Sequence, residues 1–434
     1  MTEVDRRSWR QSCLTPAMAI PLLLVVEATL FLAERYRFWW GRWKGCAVLL
    51  GCGAVLVTLL VLFGWFAVSL VFRRRFQFRL RSLFALLTCS ALPFSWLAWD
   101  MQLANRQRQG VARLNQVDPD TTRKASAGAD YDFELSGGTR ASSPSPPGPA
   151  VLRGFFGQDF FADVVDVSFL LGCTDADVQC VKDFRRLRSF KCDCPRITDG
   201  GLKAVECLTE LEDVTLVGDL SLTDAGLRHF AGLRQLRKLM ITNCPVTDAG
   251  IDELSGLTHL ESLWLTDTQI TDRALKRIAE RFPDLRCLSV GGVVGNAHVT
   301  DAGVDCLGDL RGLERLELSG SALTDRCLKT LARLPNLRSL CLDRTKISDE
   351  GLGELSGLDK LEELDLSFTA VSDAGLARLE GLKSLKLLQA NCAHVTAAGK
   401  NALCRALPGC RVDLGENNNP WSPRGIPGTD YGIP

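Results

Sequence analysis

Histidine and cysteine are the residue types of this chain that could act as bases or metal ligands, but their spacing favours neither role. The four histidines fall at unrelated positions, so we do not expect them to converge: His229, His259, His298 and His394. Cys192 and Cys194 form a CxC pair, whereas zinc sites are usually marked by CxxC spacing. The sequence therefore predicts no catalytic residue, no metal site and no cofactor, and it indicates that the chain is not an enzyme.

A second set of side chains, which could bind a partner or a cation, is charged and mainly acidic. Its members lie near the centres of the later units of a sequence repeat, and they are Arg315, Glu317, Asp343, Glu363 and Asp365. Such a group could meet a basic surface of a partner or hold a cation weakly. The alternative is ordinary solvated surface charge.

The repeat that must position these side chains runs through the C-terminal two thirds of the chain. Each unit is marked by a Thr-Asp or Ser-Asp pair, with its aspartate at Asp175, Asp199, Asp224, Asp248, Asp272, Asp301, Asp325, Asp349 or Asp373. A degenerate tenth copy has Thr396 and Ala397. The spacing is close to 24 throughout, apart from one insertion, GGVVGNAHV, at residues 291–299. A period of this length indicates a solenoid.

The residues of one unit fit a strand, a turn and a helix. In LTHLESLWLTDTQITDRAL, residues 257–275, Leu263 and Leu265 must point to one face of a strand while Trp264 points away. The Thr or Ser before each Asp is a natural helix N-cap, and the Asp complements the helix dipole. The AGL sequence that often follows places a small residue where the helix approaches its neighbour. Because one unit cannot bury its apolar face alone, the units must stack with a parallel sheet on the concave side.

These repeats resemble the leucine-rich repeat family, and more narrowly its cysteine-containing, ribonuclease-inhibitor-like subclass. The segment that carries the resemblance is LRKLMITNCPVTDAGIDEL, which ends at Leu254, with looser echoes at Cys194 and at Asn391 and Cys392. RRRFQFRLRSLFALLTCSALPFSWLAW and GQDFFADVVDVS also resemble segments of bacterial membrane-anchored repeat proteins. The resemblance implies an α/β fold, a leucine-rich-repeat solenoid with a curved parallel sheet and convex helices, preceded by α-helical transmembrane segments.

In this fold the concave surface usually binds the partner. The residues at the centres of successive strands would be Lys191, Thr215, Met240, Trp264, Ser289, Glu317, Cys341, Asp365 and Gln389. We predict a partner-binding site made of Met240, Trp264, Arg315, Glu317, Asp343, Glu363 and Asp365. Trp264 could be an interface anchor, or it could be a surface residue packed against Met240 and Ser289.

The even total of 51 basic and 51 acidic residues hides a charge asymmetry along the chain. Residues 1–117 carry 15 Lys and Arg against 5 Asp and Glu, a net charge of +10. Because the whole chain is neutral, residues 118–434 carry −10, which disfavours nucleic acid as a partner. The positive charge flanks apolar segments, as is typical beside a membrane.

Three apolar stretches, at residues 14–33, 45–72 and 82–99, are near the ~20 residues that a helix needs to cross a bilayer. The middle stretch contains no charged residue. The first contains Glu27 and follows three arginines, so it could instead be a secretory signal. The third is interrupted by Pro93 and ends in two tryptophans. We therefore predict a multi-pass protein of the cell membrane, with the lipid bilayer as one partner.

Two features of the sequence bear on which side of the membrane the repeats lie, and they point in opposite directions. Arginines cluster in the second loop, at Arg73, Arg74, Arg75, Arg79 and Arg81, which favours a cytoplasmic loop and extracytoplasmic repeats. Cysteine content weighs the other way, because residues 160–414 hold 13 cysteines without a paired framework. We predict extracytoplasmic repeats, with cysteines such as Cys192 and Cys410 buried as small hydrophobic residues.

The predicted organisation has four parts. Residues 1–117 form a membrane region with about three transmembrane helices, and residues 118–150 form a linker rich in Pro, Ser and Gly. Residues 151–414 form about ten leucine-rich repeats, and residues 415–434 form a disordered tail. A polar helix is predicted at residues 105–116, and a short strand could form at residues 131–135.

Three hypotheses for function follow. The first is a membrane-anchored interaction module that binds a protein or polymer on its concave face. The second is a structural spacer or assembly element of the cell envelope without a single cognate ligand. The third, ranked lowest, is an enzymatic activity in the membrane region, for which Glu27 is the only hint.

Overall fold

The computed structural model describes residues 52–57, 60, 63, 80–114, 128–134, 140–143, 163–170, 173–193, 195–218, 221–292, 298–392 and 394–415. The chain divides into two units. The first comprises Met1–Thr122, Ser126–Ser168 and Cys180–Leu187, and the second comprises Arg123–Ala125, Phe169–Gln179 and Arg188–Pro434.

One long helix, α1 (Leu80–Leu114), lies in the first unit. It joins the third apolar stretch to the polar segment at residues 105–116, whose predicted helix is confirmed as far as Leu114. Pro93 does not end the helix, because a proline removes only one backbone donor. Among the residues described, no helix combines the length and the apolar character needed to cross a membrane. Residues 14–33 lie outside the described residues, and residues 45–72 are described only at 52–57, 60 and 63.

The second half of α1 buries one face. Asp100, Ala104, Gln107 and Gly110 are buried and recur at spacings of three and four residues, as one side of a helix requires. Gly110 lies so close to the ring of Phe184 that a Cβ there would come within 2.8 Å of Cζ. The polar half of α1 is therefore a packed element of the first unit.

Antiparallel strands lie within the segment predicted to be a linker. β1 (Gly128–Glu134) pairs with β2 (Arg140–Ser143) and with β3 (Val164–Leu170). The short strand expected at residues 131–135 is thus confirmed, but the description of residues 118–150 as a linker is incomplete. The segment has too few apolar residues for a core of its own, and β3, with Val164 and Val167 fully buried, supplies the apolar partner.

The second unit contains the parallel sheet that the repeats predict. Its strands pair in chain order, each in parallel with the next. They are β4 (Ser189–Asp193), β5 (Asp213–Val217), β6 (Lys238–Thr242), β7 (Ser262–Thr266), β8 (Cys287–Ser289), β9 (Arg315–Glu317), β10 (Ser339–Cys341), β11 (Glu363–Asp365), β12 (Leu387–Gln389) and β13 (Arg411–Asp413).

Short helices alternate with these strands. The α-helices are α2 (Asp175–Val178), α3 (Asp199–Leu202), α4 (Asp224–Leu227), α5 (Asp248–Glu253), α6 (Asp272–Arg281), α7 (Asp301–Asp305), α8 (Leu328–Leu331), α9 (Asp373–Arg378) and α10 (Ala397–Ala406). The 3-10 helices are Gln179–Asp183, Lys203–Cys207, Arg228–Phe230, Leu254–Gly256, Cys306–Asp309, Asp325–Cys327 and Gly351–Gly357. The predicted caps are confirmed; for example, the Thr198 hydroxyl accepts a hydrogen bond from the Gly200 N–H at 3.2 Å.

Leucines fill the space between sheet and helices. Leu263 and Leu265 of β7 are completely buried while Trp264 between them is half-buried, as the alternation predicts. Burying a leucine side chain contributes roughly 1.5–3 kcal/mol, so the repeated leucines supply most of the drive for stacking. Cys192 and Cys410 are also buried, which confirms their role as small core residues.

The Asp of each Thr-Asp or Ser-Asp pair connects one repeat to the next. Its Oδ1 accepts the backbone N–H of the next repeat's Thr or Ser at 2.7–2.9 Å, and its Oδ2 accepts that residue's hydroxyl at 2.5–2.7 Å. We call this row the aspartate ladder; it consists of Asp175, Asp199, Asp224, Asp248, Asp272, Asp301, Asp325, Asp349 and Asp373. The sequence pattern alone indicates only a helix-dipole role for these carboxylates.

The small residue of the AGL segment makes room for the ladder. A Cβ on Gly226 would lie 2.4 Å from Oδ1 of Asp199, and one on Gly250 would lie 2.6 Å from Oδ1 of Asp224. Thr, Asp and Gly recur at fixed positions of the repeat because all three form the aspartate ladder. Thr donates to the preceding carboxylate, Asp accepts from the following repeat, and Gly admits the preceding carboxylate.

Both ends of the ladder are modified. In the first repeat, where no ladder aspartate precedes, Asp177 Oδ2 accepts both the N–H and the hydroxyl of Thr174 at 2.8 Å. In the last repeat Ala397 stands in the ladder position. The predicted tail lies outside the described residues from residue 416 onward.

Candidate functional site: the concave sheet face

A row of side chains crosses the sheet at the centres of its strands. Strand pairing places in register the residues expected there: Lys191, Thr215, Met240, Trp264, Ser289, Glu317, Cys341, Asp365 and Gln389. Asp413 extends the row into β13. We call the surface that carries this central row the concave face. Adjacent strands lie about 4.8 Å apart, so neighbouring side chains of the row are within contact distance.

Trp264 occupies the apolar part of the row. It is paired with Met240 on one side and with Ser289 on the other. Met240 and Trp264 are half-buried, whereas Ser289 is buried and its hydroxyl lies 3.3 Å from that of Thr266. The indole is therefore half-buried between Met240 and Ser289 in the row, and its role as an interface anchor stays a prediction.

The five charged residues predicted as part of the site lie together on β9 to β11 and the loop after β10. Arg315 Nη2 lies 4.0 Å from Glu363 Oε2, and the Ser339 hydroxyl donates to the same carboxylate at 3.0 Å. Glu317 and Asp365 flank Cys341 in the central row. Asp343 follows β10 and accepts from Arg344 Nη1 at 2.9 Å. The structure thus brings together the charged cluster that the repeat spacing predicted.

Cys341, which the predicted site omitted, lies inside that cluster. Its thiol donates to Asp343 Oδ1 at 3.2 Å and lies 3.7 Å from Asp365 Oδ2 and 3.4 Å from the Ser319 hydroxyl. Burial and then the charges of Asp365 and Asp343 raise the pKa of the Cys341 thiol well above its ordinary value. The thiol is therefore neutral near pH 7 and is a poor nucleophile.

The same three residues are the set within the described chain whose ligand atoms could surround a metal ion. The sulfur of Cys341 and carboxylate oxygens of Asp343 and Asp365 all lie within 4.8 Å of one another. Metal binding would require the thiolate, which the neighbouring carboxylates disfavour. The set contains no histidine. Its two aspartates belong to the charged group that the sequence suggested could hold a cation weakly, whereas Cys341 was not predicted as a member.

A strained loop position borders the cluster. Three residues after six of the central-row residues the backbone has positive φ, at Gly218, Asn243, Asp267, Gly320, Arg344 and Phe368. Gly, Asn and Asp adopt this conformation readily, but for Arg344 and Phe368 it costs roughly 1 kcal/mol or more each. Aligning these six repeats by sequence would have singled out Arg344 and Phe368, because the other four positions hold glycine, asparagine or aspartate.

Phe368 is exposed and lies beside Arg344. It is 54% exposed, and among the residues described after α1 it is the exposed large apolar side chain. The Arg344 guanidinium carbon lies 5.0 Å from the Phe368 ring centroid, a cation–π distance. Arg344 therefore bridges an aromatic ring and the Asp343 carboxylate.

A second row, just before the strands, alternates in charge from repeat to repeat. It consists of Arg188, Glu212, Arg237, Glu261, Arg286, Glu314, Arg338, Glu362 and Lys386. Arg237 pairs with Glu261 at 2.6 Å, and Lys386 and Arg338 pair with Glu362, whose pKa they lower. A groove of about 590 Å³ lies here, lined by His259 and several of these residues. Its lining carries two arginines and three carboxylates, so the groove offers a ligand a net charge of only −1.

Two segments of the chain match a family model described as Leucine Rich repeat, at residues 256–279 and 359–379. Each segment covers one strand and the start of the following helix, β7 with α6 and β11 with α9. The chain contains leucine-rich repeats. Its ribonuclease-inhibitor-like subclass and its membrane-anchored form remain predictions.

Solved internalin structures are similar to part of the chain. An internalin (inlF) from Listeria monocytogenes is 20% identical, with a TM-score of 0.40, covering 58% of this chain and 89% of that one. An internalin C2 (inlC2) from Listeria monocytogenes is 23% identical, with a TM-score of 0.33, covering 54% and 86%. At these values the likeness carries no partner or activity to this chain. No curated protein matches it.

Proposed function

We propose that the chain is a membrane-anchored interaction module whose leucine-rich repeats bind a protein or polymer partner on the concave face. The observation that carries the proposal is the difference between the two faces of each strand. Inward side chains are buried and apolar, mostly leucine, whereas central-row side chains differ in charge, polarity and size from repeat to repeat. A surface that varies on a rigid, uniform scaffold is suited to recognise one partner by shape and a few anchors.

Within that face, Met240 and Trp264 supply apolar area and the charged cluster supplies polar specificity. The arrangement has the two components of a typical interface, an aromatic anchor and a polar surround. We assign no catalytic step to the chain, since burial and the neighbouring aspartates keep the thiol of the cluster neutral and a poor nucleophile. The net charge of −10 after residue 117 argues against nucleic acid as the partner.

The membrane part of the proposal rests on the apolar stretches and on exposed apolar side chains. Those described in the N-terminal third are Leu56, Val57, Leu60, Phe63, Phe94 and Trp99. Exposed side chains of this size are unusual on a protein surface in water and are suited to lipid. We place the repeats outside the cytoplasm.

An impermeant maleimide applied to intact cells tests the sidedness of the repeats. Cys207 is exposed and provides a reactive site on the repeat domain. Labelling of Cys207 in intact cells is expected, and a Cys207→Ser variant corrects for labelling elsewhere. Labelling of Cys207 only after lysis would place the repeats in the cytoplasm and overturn that part of the proposal.

Site-specific photo-crosslinking tests the concave face directly. A photoreactive derivative of phenylalanine, which keeps an aromatic ring at the anchor position, replaces Trp264 in the full chain, and in a matched variant it replaces Arg273, which is exposed on α6. We expect a discrete crosslinked product from position 264 and none from position 273. Equal products from both positions, or none from position 264 in cells that produce the chain normally, would favour a spacer without a single cognate ligand.

A further inference from the structure

The backbone of Phe368 adopts a conformation that phenylalanine rarely has. Of the five equivalent positions that also have positive φ, four carry residue types that adopt it readily, Gly218, Asn243, Asp267 and Gly320, and the fifth is Arg344. Phe368 has a φ of 58° and directs an aromatic side chain into solvent, where burial does not compensate for the backbone conformation. The fold therefore does not require phenylalanine here, which leaves a contact with another molecule as the reason for it.

The surroundings of Phe368 are acidic. The charged residues of β9 to β11 on the concave face, with Asp343 and Arg344 just after β10, are four carboxylates and two arginines, a net charge of −2: Arg315, Glu317, Asp343, Arg344, Glu363 and Asp365. Cys341 adds no charge, since burial and the two aspartates keep its thiol protonated. An aromatic ring next to net negative charge fits a cationic side chain better than an anionic or purely apolar one.

The contacts of Arg344 show which kind of cation can bind between Phe368 and Asp343. Its guanidinium donates to Asp343 at 2.9 Å and lies 5.0 Å from the Phe368 ring centroid. A planar guanidinium can bond a carboxylate and stack on a ring at the same time, which the ammonium of lysine does less well. Arg344 thus covers part of the ring with the kind of group that a partner would present.

We propose that Phe368, with Asp343 and Asp365, is the docking point for an arginine-bearing basic segment of a partner protein, and that Arg344 competes for it. This inference rests on the proposed function and adds the chemistry of the partner. The partner's guanidinium stacks on Phe368 and pairs with the aspartates at the C-terminal edge of β10 and β11.

The test uses the full chain in detergent micelles and a fluorescent peptide of alternating glycine and arginine, with lysine and glutamate versions for comparison. The arginine peptide is expected to bind more tightly than the lysine peptide, and the glutamate peptide is not expected to bind. Phe368→Asn introduces the residue type that Asn243 provides at the same position of an earlier repeat. It should weaken arginine-peptide binding by about tenfold without lowering Tm, because it removes the ring and relieves the backbone.

A charge-matched control separates this site from general attraction to an acidic domain. Asp365→Asn should weaken binding several-fold, whereas Asp267→Asn, at the loop position after β7, removes the same charge and should leave binding unchanged. Arg344→Gly introduces the residue type that Gly320 provides one repeat earlier, and it should strengthen binding by uncovering the ring and Asp343. This opposite sign keeps the inference testable even if the Phe368 variant folds poorly.

Equal weakening by Asp267→Asn and Asp365→Asn, or unchanged binding in Phe368→Asn together with no gain in Arg344→Gly, would overturn the inference. Those results would leave the proposed function intact if crosslinking from position 264 still gave a discrete product. Loss of that product as well would mean that the proposed function itself is wrong.

Discussion

The aspartate ladder and the central row of the concave face both cross the whole repeat array, but they follow opposite rules. The ladder repeats one residue and one pair of hydrogen bonds at nine successive junctions, from Asp175 to Asp373. The central row changes at almost every step, from lysine through methionine and tryptophan to aspartate. Uniformity marks the contacts that hold repeats together, and variation marks the surface that can be specialised for a partner. Substitutions in the two rows should therefore affect different properties.

The largest loss of stability is expected from a carboxylate in the middle of the ladder. Asp248→Ala removes the acceptor of both the N–H and the hydroxyl of Thr271, at 2.8 and 2.6 Å. Because hydrogen bonds to a charged group are strong and a half-buried donor loses its partner, the free energy of unfolding should fall by about 2–3 kcal/mol. Urea denaturation measures it. A loss no larger than that of an ordinary surface substitution would show that the ladder does not hold the repeats together.

A smaller loss is expected when the space for the carboxylate is filled. In Gly250→Ala the new Cβ would meet Asp224 Oδ1 at 2.6 Å, so the aspartate must shift and stability should fall by about 1–2 kcal/mol. Gly232→Ala is the control, since no atom lies within 4 Å of its added Cβ. Equal denaturation midpoints for the two variants would contradict the role given to Gly250.

Removing the modified contact of the first repeat should lower stability by about as much as the loss of a helix N-cap. Asp177→Ala removes the acceptor for Thr174 and should lower the free energy of unfolding by about 1 kcal/mol. Ala397→Asp adds a carboxylate at the other end, where the described residues contain no following Thr or Ser. It should change stability by less than about 0.5 kcal/mol. A clear gain from Ala397→Asp would show that the helix dipole, and not the ladder, explains the aspartates.

Acid should weaken the last junction of the ladder by a small step. The N–H and hydroxyl of Thr396, followed by the N–H of Gly399, hold the pKa of Asp373 below its ordinary value. Because the folded pKa is depressed, the stabilisation is present above the unfolded pKa, near 4, and is lost as pH falls through the folded pKa. Asp373→Asn should therefore lose less stability than the wild type on acidification, as measured by denaturation at a series of pH values. An unchanged pH dependence would argue against this linkage.

The sequence was sufficient for the strands, their register and the central row, because one repeat spacing fixes all of them at once. Lys191 to Gln389 could be placed on one surface from that spacing alone. The ladder was not predicted, since its hydrogen bonds join residues 23 to 28 positions apart and a single unit shows only a helix cap. The roles of Cys341, Arg344 and Phe368 were not predicted either, because they depend on burial, backbone conformation and neighbours from other repeats. Of the two strands in the linker, the sequence predicted β1 but not β2, because the apolar strand with which β1 pairs, β3, lies outside the linker.

The most direct test of the central claim is a comparison of stability and partner binding in one variant of the concave face. Trp264→Ala combined with Glu317→Ala changes two central-row residues that are not in the leucine core. The proposed function predicts a nearly unchanged Tm in thermal unfolding together with a loss of the crosslinked partner, detected from a photoreactive residue at position 240. A large fall in Tm with undiminished crosslinking would show that the concave face is structural and would contradict the proposed function.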